Sequence, residues 1–387
     1  MFNFKDIILS SLFFFFYLSL SAWLPFYNLY LKDIGFSGTQ IGMVAALFQS
    51  SLFFVVPVWG MLSDRKGNRF VLQIALLMTS LVLYGTGYIP TFHLMLVYFF
   101  LLAFFHQPLA SLCDSLALYY LHGHSRLSYG AFRVWGSPGW AVGTILLGRY
   151  LQTHDLKIIF TAGAGLYFIT LLITLLFGKS DEYRGIKQDF SVRHIVSVFG
   201  EKRIIYFLLL LILCGIGVAP LYVFINLYFR DIGGSNQIIG LAFAVQALCE
   251  IPFFFYGRRL VARFGSPKIL LFVMFVAVLR LFGYSQIGDP IIAVIVGCAQ
   301  GITLSLFWVS VTDFMGGLIP KEWRSTGQSL IYAFHLGAGA TIGNMSIGRL
   351  SDFFPMQQVM LMAGCYSTIV LFVMFLYFSR FKLWRKV

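Results

Sequence analysis

Apolar stretches of about 20 residues, the length that crosses a bilayer as a helix, recur along the whole chain. They fall at approximately 7–31, 38–60, 70–88, 92–120, 129–150, 157–178, 203–229, 236–257, 268–286, 290–317, 325–348 and 356–379, separated by short polar breaks. The pattern predicts an all-α membrane protein with twelve transmembrane helices. Barrel strands would instead alternate polar with apolar over about ten residues. The first segment follows a single Lys and carries no small-residue cleavage site, so it is expected to be retained as a span. One long polar connection, 179–202, divides the spans six and six. It reads as a cytoplasmic linker between an N-terminal half, 1–178, and a C-terminal half, 203–387.

Composition excludes the soluble alternatives. Hydrophobic residues make up 59% of the 387 and charged residues only 11%, whereas a soluble domain carries about 25% charged residues. Disorder is excluded by the same imbalance. The net charge of +13 is unevenly placed. With both termini on the cytoplasmic side, that side holds 21 of the 28 Lys and Arg and the opposite side five, while Arg133 and Arg280 lie inside spans. The asymmetry predicts an N-in, C-in topology. The basic excess therefore orients helices and does not form a face for nucleic acid. The five cysteines lie singly in apolar runs, with no metal or redox spacing. No P-loop, His-Glu-x-x-His or Gly-x-Ser-x-Gly pattern is present, so neither an ATP-driven pump nor a membrane-embedded enzyme finds its motif.

The chain repeats itself. Asn28–Gly42 and Asn226–Gly240 match at nine of 15 positions with an offset of 198. Chance likeness between apolar segments does not explain it, because Asn, Asp, Gly and Ser are among the matching residues. With one residue lost, Gln49 then pairs with Gln246 and Gly60 with Gly257. A glycine also stands near the end of every third span, at Gly60, Gly148, Gly257 and Gly348. Two six-span halves built of three-span repeats is a design of secondary transporters.

The segment from Gly60 through Asp64, Arg65, Lys66 and Gly67 to Arg69 resembles the loop between spans 2 and 3 that marks the major facilitator superfamily. The resemblance implies a gating role, through ion pairs at the cytoplasmic face, for Gly60, Asp64, Arg65, Gly67 and Arg69. The C-half counterpart, from Gly257 to Gly265, lacks the Asp. A narrower resemblance spans nearly the whole chain. The block Asn28–Gly42, the block Tyr129–Trp140 and Arg324-Ser-Thr-Gly327-Gln328 look like the branch of phenylpropionate permeases, nucleoside–proton symporters and lactose-permease-like symporters. In that branch the matching positions imply substrate contacts for Arg133 and Trp140 and a proton-coupling role for Arg280. The His and Glu of the lactose-permease proton relay fall on Gln300 and Thr303, and its span 4 Glu has no strict match, Asp114 lying one residue away. Both departures argue against lactose and against that relay.

Five ionisable residues lie within spans: Asp114, Arg133, Glu250, Arg280 and Asp313. Each costs about 2.5–3.5 kcal/mol on insertion scales, so each is a functional candidate. Asp114 and Arg133 flank the turn near His124 at nearly equal depth, about 14 Å in at 1.5 Å per residue, where they can pair. That pair serves either as a structural lock or as part of a substrate site, and His106 lies eight residues from Asp114 on nearly the same face. Glu250, with Gln246 one turn away, is the first candidate for proton carrier and Asp114 the second. Permanent neutralisation of Glu250 by a neighbouring helix is the competing explanation. Arg280 needs a carboxylate, a water-filled cavity or an anionic substrate, and Glu250 is within its reach. Asp313 is expected to cap a gate with Lys321 or Arg324.

Trp23, Tyr27, Asn28, Gln49, Tyr222, Asn226, Gln246, Gln300, Trp308 and Asn344 complete a candidate cavity. His335 is either a proton group or a hydrogen-bonding one. Tyr30 and Tyr228, near span ends, read as interfacial belt. Together these features predict a proton-coupled symporter that imports a small organic solute such as a nucleoside, sugar or aromatic acid by alternating access. The proton gradient is its driving force and no cofactor or nucleic-acid partner is expected. A functional monomer in the bacterial inner membrane is expected, embedded in the lipid bilayer. The alternatives are a drug–proton antiporter of the same fold and, more remotely, a membrane-embedded enzyme or receptor.

Overall fold

The computed structural model describes residues 4–124, 129–177, 201–320 and 323–383. The predicted linker lies outside the described residues, apart from its last two positions, and so does Lys321.

Every regular element among the described residues is helical. The first half contains α1 (Phe4–Ser21), α2 (Tyr27–Asp33), α3 (Gly38–Ser50), α4 (Leu52–Lys66), α5 (Asn68–Thr86), α6 (Phe92–His106), α7 (Leu109–His124), α8 (Tyr129–Arg133), α9 (Gly136–Tyr150) and α10 (Ile158–Leu175). The second contains α11 (Lys202–Tyr222), α12 (Ile225–Asp231), α13 (Asn236–Phe264), α14 (Ser266–Gln286), α15 (Pro290–Gly297), α16 (Phe307–Leu318), α17 (Arg324–Ile331), α18 (Ala340–Leu350) and α19 (Met356–Arg380). Wider π-helical turns, Gly301–Leu306 and Tyr332–Gly339, run into α16 and α18.

Nine helical stretches among the described residues are long and apolar enough to cross a membrane. The three other predicted spans are interrupted. The first breaks between α1 and α2, where Pro25 lacks an N–H and its ring would clash with the carbonyl of Ser21. The fifth breaks at Val134 and Trp135, between α8 and α9, and the eleventh passes through the π-helical turn before α18.

The backbone repeats as the sequence does. Gly35 and Gly233 take φ of +88° and +83°, and Gly67 and Gly265 take +92° and +85°. Both pairs are 198 residues apart and each glycine stands at a helix end, where only a residue without Cβ enters this region freely. Tyr30 and Tyr228 repeat too, and they are not a belt. Both are buried, and their hydroxyls donate to Gly87 O at 3.3 Å and Ile287 O at 3.0 Å. The hydroxyls close off carbonyls at helix ends, which a hydropathy profile cannot reveal.

The chain forms two compact units that exchange segments. One takes in the described residues of Met1–Phe36, Ser51–Lys187 and Ser235–Ala244, the other those of Ser37–Ser50, Gln188–Gly234 and Val245–Val387. In the second unit α3 lies against α18, with Gly42 on Gly348: a Cβ on Gly42 would meet Asn344 O at 2.5 Å and Gly348 Cα at 3.0 Å. In the first unit the start of α13 lies against α9, and a Cβ on Gly240 would meet Thr144 O at 2.2 Å and Gly148 Cα at 3.1 Å. Two of the four span-end glycines thus serve close backbone approach. Gly60 faces open space, and Gly257 lies against Val309.

Candidate functional site

Among the described residues, each unit holds a cluster of charged and polar side chains within its apolar helices. In the first unit α7 supplies Asp114, α8 supplies Tyr129 and Arg133, and α1 supplies Tyr17. Arg133 Nε lies 3.8 Å from Asp114 Oδ1, and Tyr129 donates to the same oxygen at 2.7 Å. The guanidinium also donates to the Tyr17 hydroxyl and lies over the Tyr17 ring, 4.4 Å from its centroid. Gly136 makes room for this, since a Cβ there would meet the Tyr17 ring at 2.6 Å and Arg133 Nη1 at 3.0 Å. The ion pair is over a third exposed, 37% for Arg133 and 39% for Asp114.

Asp114 and Arg133 meet as their depths predict, because α7 and α8 carry them to the same level. Tyr17 and Tyr129 were legible only as aromatic residues in apolar runs. His106 is not part of this cluster. It bonds the Tyr167 hydroxyl at 2.9 Å and meets the Trp23 ring edge-on at 5.5 Å. The helix breaks at Gln107 and Pro108, so the face shared with Asp114 is lost. Trp140 is half-buried on α9, and among the described residues no hydrogen bond or ring contact ties it to Arg133. Trp23 and Tyr27 pack on each other at 5.9 Å, and Tyr27 packs on Phe99. Asn28 is fully buried.

In the second unit Arg280 is the centre. It is 2% exposed, and its Nη1 donates to Gln300 Oε1 at 2.7 Å and to Thr303 Oγ1 at 2.5 Å. These neutral acceptors stand at and within the π-helical turn that starts at Gly301. Glu250 lies nearby: Tyr222 is within electrostatic range of both Arg280 and Glu250, and the Glu250 carbonyl accepts from Ser305 Oγ at 3.2 Å. Gln246 and Tyr284 flank Gly297, whose Cβ would meet Gln246 Nε2 at 3.2 Å and Tyr284 Oη at 3.5 Å. Tyr284 was not a candidate from sequence, where a Tyr near a span end carries no distinctive signal.

The remaining candidates have structural partners. His335 is buried with Nδ1 3.1 Å from Leu211 O, so that nitrogen carries a proton and ties the second π-helical turn to α11. Asn226 is buried, and its Oδ1 accepts from Leu227 N at 2.8 Å. Gln49 is half-buried. Neither amide atom of the buried Asn344 is hydrogen-bonded among the described residues. Asp313 accepts from Ser266 Oγ at 2.8 Å, joining the start of α14 to α16, and makes no ion pair with Arg324 among the described residues. It lines a cleft of about 660 Å³ together with Arg258 and Trp308. Trp308 is stacked on Tyr332 at 4.6 Å.

The residues resembling the span 2–3 signature also differ from expectation. Asp64 and Arg65 are exposed and make no ion pair among the described residues. Arg69 instead donates to the carbonyls of Thr174 and Leu175 at 3.2 and 3.0 Å. A cation at the last carbonyls of α10 is favoured by the helix dipole.

A family model described as "MFS_1 like family" matches residues 7–362. A maltose permease of Geobacillus stearothermophilus is 26% identical over 383 residues, covering 95% of this chain and 93% of that protein. The multidrug resistance protein MdtG of Rahnella sp. is 23% identical over 366 residues, covering 89% and 88%. Among solved structures, the nucleoside transporter NupG superposes with a TM-score of 0.89 at 18% identity, covering 97% of this chain and 99% of that one.

Proposed function

The chain belongs to the MFS_1 like family, a membrane transporter and not an enzyme, and on that premise we propose that it is a proton-coupled symporter importing a small polar organic solute by alternating access. The proposal includes twelve spans with both termini in the cytoplasm of a bacterium, a monomer in the inner membrane, and the proton gradient in place of any cofactor. The signature residues Asp64, Arg65 and Arg69 take the gating role.

One observation carries the reading. Asp114 on α7 and Arg133 at the end of α8 form a charged pair within predicted apolar spans, and yet more than a third of each side chain is exposed. A charge facing lipid is costly, so an exposed pair at that depth belongs to a water-filled cavity. Solute and proton both need such a cavity. Arg133 offers donors and Asp114 an acceptor to a polar solute, while Tyr129 and Tyr17 hold the two in position. Glu250, in the second unit near Tyr222 and Arg280, is the first choice as proton carrier and Asp114 the second. Each is a carboxylate within the membrane that gains a proton on one side and loses it on the other.

Uptake of a labelled solute panel into proteoliposomes under an imposed proton gradient tests this, wild type against Glu250→Gln. Accumulation should follow the gradient in the wild type and lose that dependence in the variant. Uptake insensitive to both would sink the coupling. The runner-up is a drug–proton antiporter, which the likeness to MdtG keeps open. It predicts proton-driven accumulation of lipophilic cations in inverted vesicles.

A further inference from the structure

Two nitrogens on one edge of Arg280 have no hydrogen-bond partner among the described residues. Its Nη1 is bound to Gln300 and Thr303, whereas Nε and Nη2 are buried and make no hydrogen bond among the described residues. Those two nitrogens share one edge of the guanidinium plane, the edge that pairs bidentately with a carboxylate. Two further buried donors, Gln246 Nε2 and Tyr284 Oη, have no hydrogen-bond partner among the described residues, and both lie against Gly297. The guanidinium carbon lies 5.9 Å from the Tyr284 ring centroid.

The arrangement is expensive as it stands. A buried cation whose hydrogen-bond partners among the described residues are all neutral lacks the directly bonded counter-charge that normally accompanies burial. Each unsatisfied buried donor has given up its hydrogen bond to water with nothing in exchange. A buffer of neutral acceptors would have served a structural arginine better on the open edge as well. Instead the edge that fits an anion has no hydrogen-bond partner among the described residues.

We propose that this cluster, Arg280 with Gln246 and Tyr284, binds the carboxylate of the transported solute, which makes the substrate an organic carboxylate anion. The fit is in number as well as charge. A carboxylate offers about four lone-pair directions on two oxygens, and Nε, Nη2, Gln246 Nε2 and Tyr284 Oη supply four donors. A phosphate would bring a third oxygen and a second charge that one arginine leaves uncompensated. Gln300 and Thr303 act as positioning residues: they hold Nη1 and thereby aim the fork. The inference rests on the transporter reading above but does not depend on which acid carries the proton.

The test uses the full-length purified chain and matched ligand pairs that differ only in the anionic group: glucuronate against glucose and benzoate against benzamide. Binding is measured by thermal shift and equilibrium dialysis. At least one anion should bind the wild type about tenfold or more tightly than its neutral partner, as expected where a site is built to bond a group the analogue lacks. Arg280→Lys keeps the charge and loses the fork; Gln300→Glu places a carboxylate of the protein's own on the guanidinium. In both the preference should fall to about twofold or less, since only the anion-specific term is removed, while each variant stays monodisperse and gives a cooperative melt. No anion preference in any pair for the wild type would overturn the proposal, as would a preference that survives in Arg280→Lys. Proton-driven uptake of a neutral member without any anion preference would reject the carboxylate site and leave the symporter reading standing. Loss of proton-driven uptake for every solute would reject the latter instead.

Discussion

Asp352 caps the helix that starts 314 residues before it: its carboxylate accepts from Gly38 N at 2.5 Å and Thr39 N at 3.0 Å, and from the Thr39 hydroxyl. These are amides of the first turn of α3, which α3 itself cannot satisfy, and the negative charge complements the dipole. The cap sits beside the Gly42–Gly348 crossing, so hydrogen bonds and backbone contact hold the same junction.

Removing the cap by Asp352→Ala should lower stability by about 0.5–2 kcal/mol, the range for losing a helix N-cap. Thermal unfolding in detergent would register it as a fall of a few degrees, and Asp352→Asn should lose less. An unchanged melting temperature in both variants would mean the contact contributes nothing.

Gly42→Leu and Gly240→Leu should each do more. A Cβ at either position meets backbone of the neighbouring helix closer than van der Waals contact, and backbone cannot turn aside as a side chain can. Overpacking of this kind costs about 1–3 kcal/mol. Because α3–α18 and α13–α9 are equivalent contacts, the two variants should melt at similar temperatures below wild type. Gly60→Ala, with open space around it, is the control and should melt as wild type does.

The buried tyrosine hydroxyls provide a second matched pair. Tyr30→Phe and Tyr228→Phe each remove one bond to a carbonyl and should each cost about 0.5–1.5 kcal/mol. Interfacial-belt tyrosines would tolerate the same change, so equal melting of wild type and both variants would restore that explanation.

Asp114→Asn and Arg133→Gln address the exposed pair. Losing one member of a fully buried pair costs about 3–5 kcal/mol, but with over a third of each side chain exposed the expected loss is discounted to about 1 kcal/mol. The effect on solute affinity should be larger than the effect on stability. Isothermal binding of an identified substrate checks this. A variant that melts early yet binds normally would make the pair a structural lock.

The membrane character of the chain, its helical class and its internal duplication were all legible in the sequence. Length of apolar runs, scarcity of charge and the 198-residue offset are properties of the chain taken in order, and the bilayer or the repeat acts on each segment locally. The pairing of Asp114 with Arg133 was legible for the same reason: one short turn separates them, so counting residues gives their depth. Where spans break was not legible, because an apolar run has the same hydropathy whether its helix is continuous or interrupted. Nor were the partners. Tyr30 finds a carbonyl 57 residues away, Arg69 one 105 residues away, and Arg280 takes Gln300 and Thr303, 20 and 23 residues on. Each choice depends on which helices cross and at what height. Hydropathy fixes that a residue is buried, but hydrogen-bond geometry within about 3 Å fixes what it is buried against, and only the packed tertiary structure sets that distance.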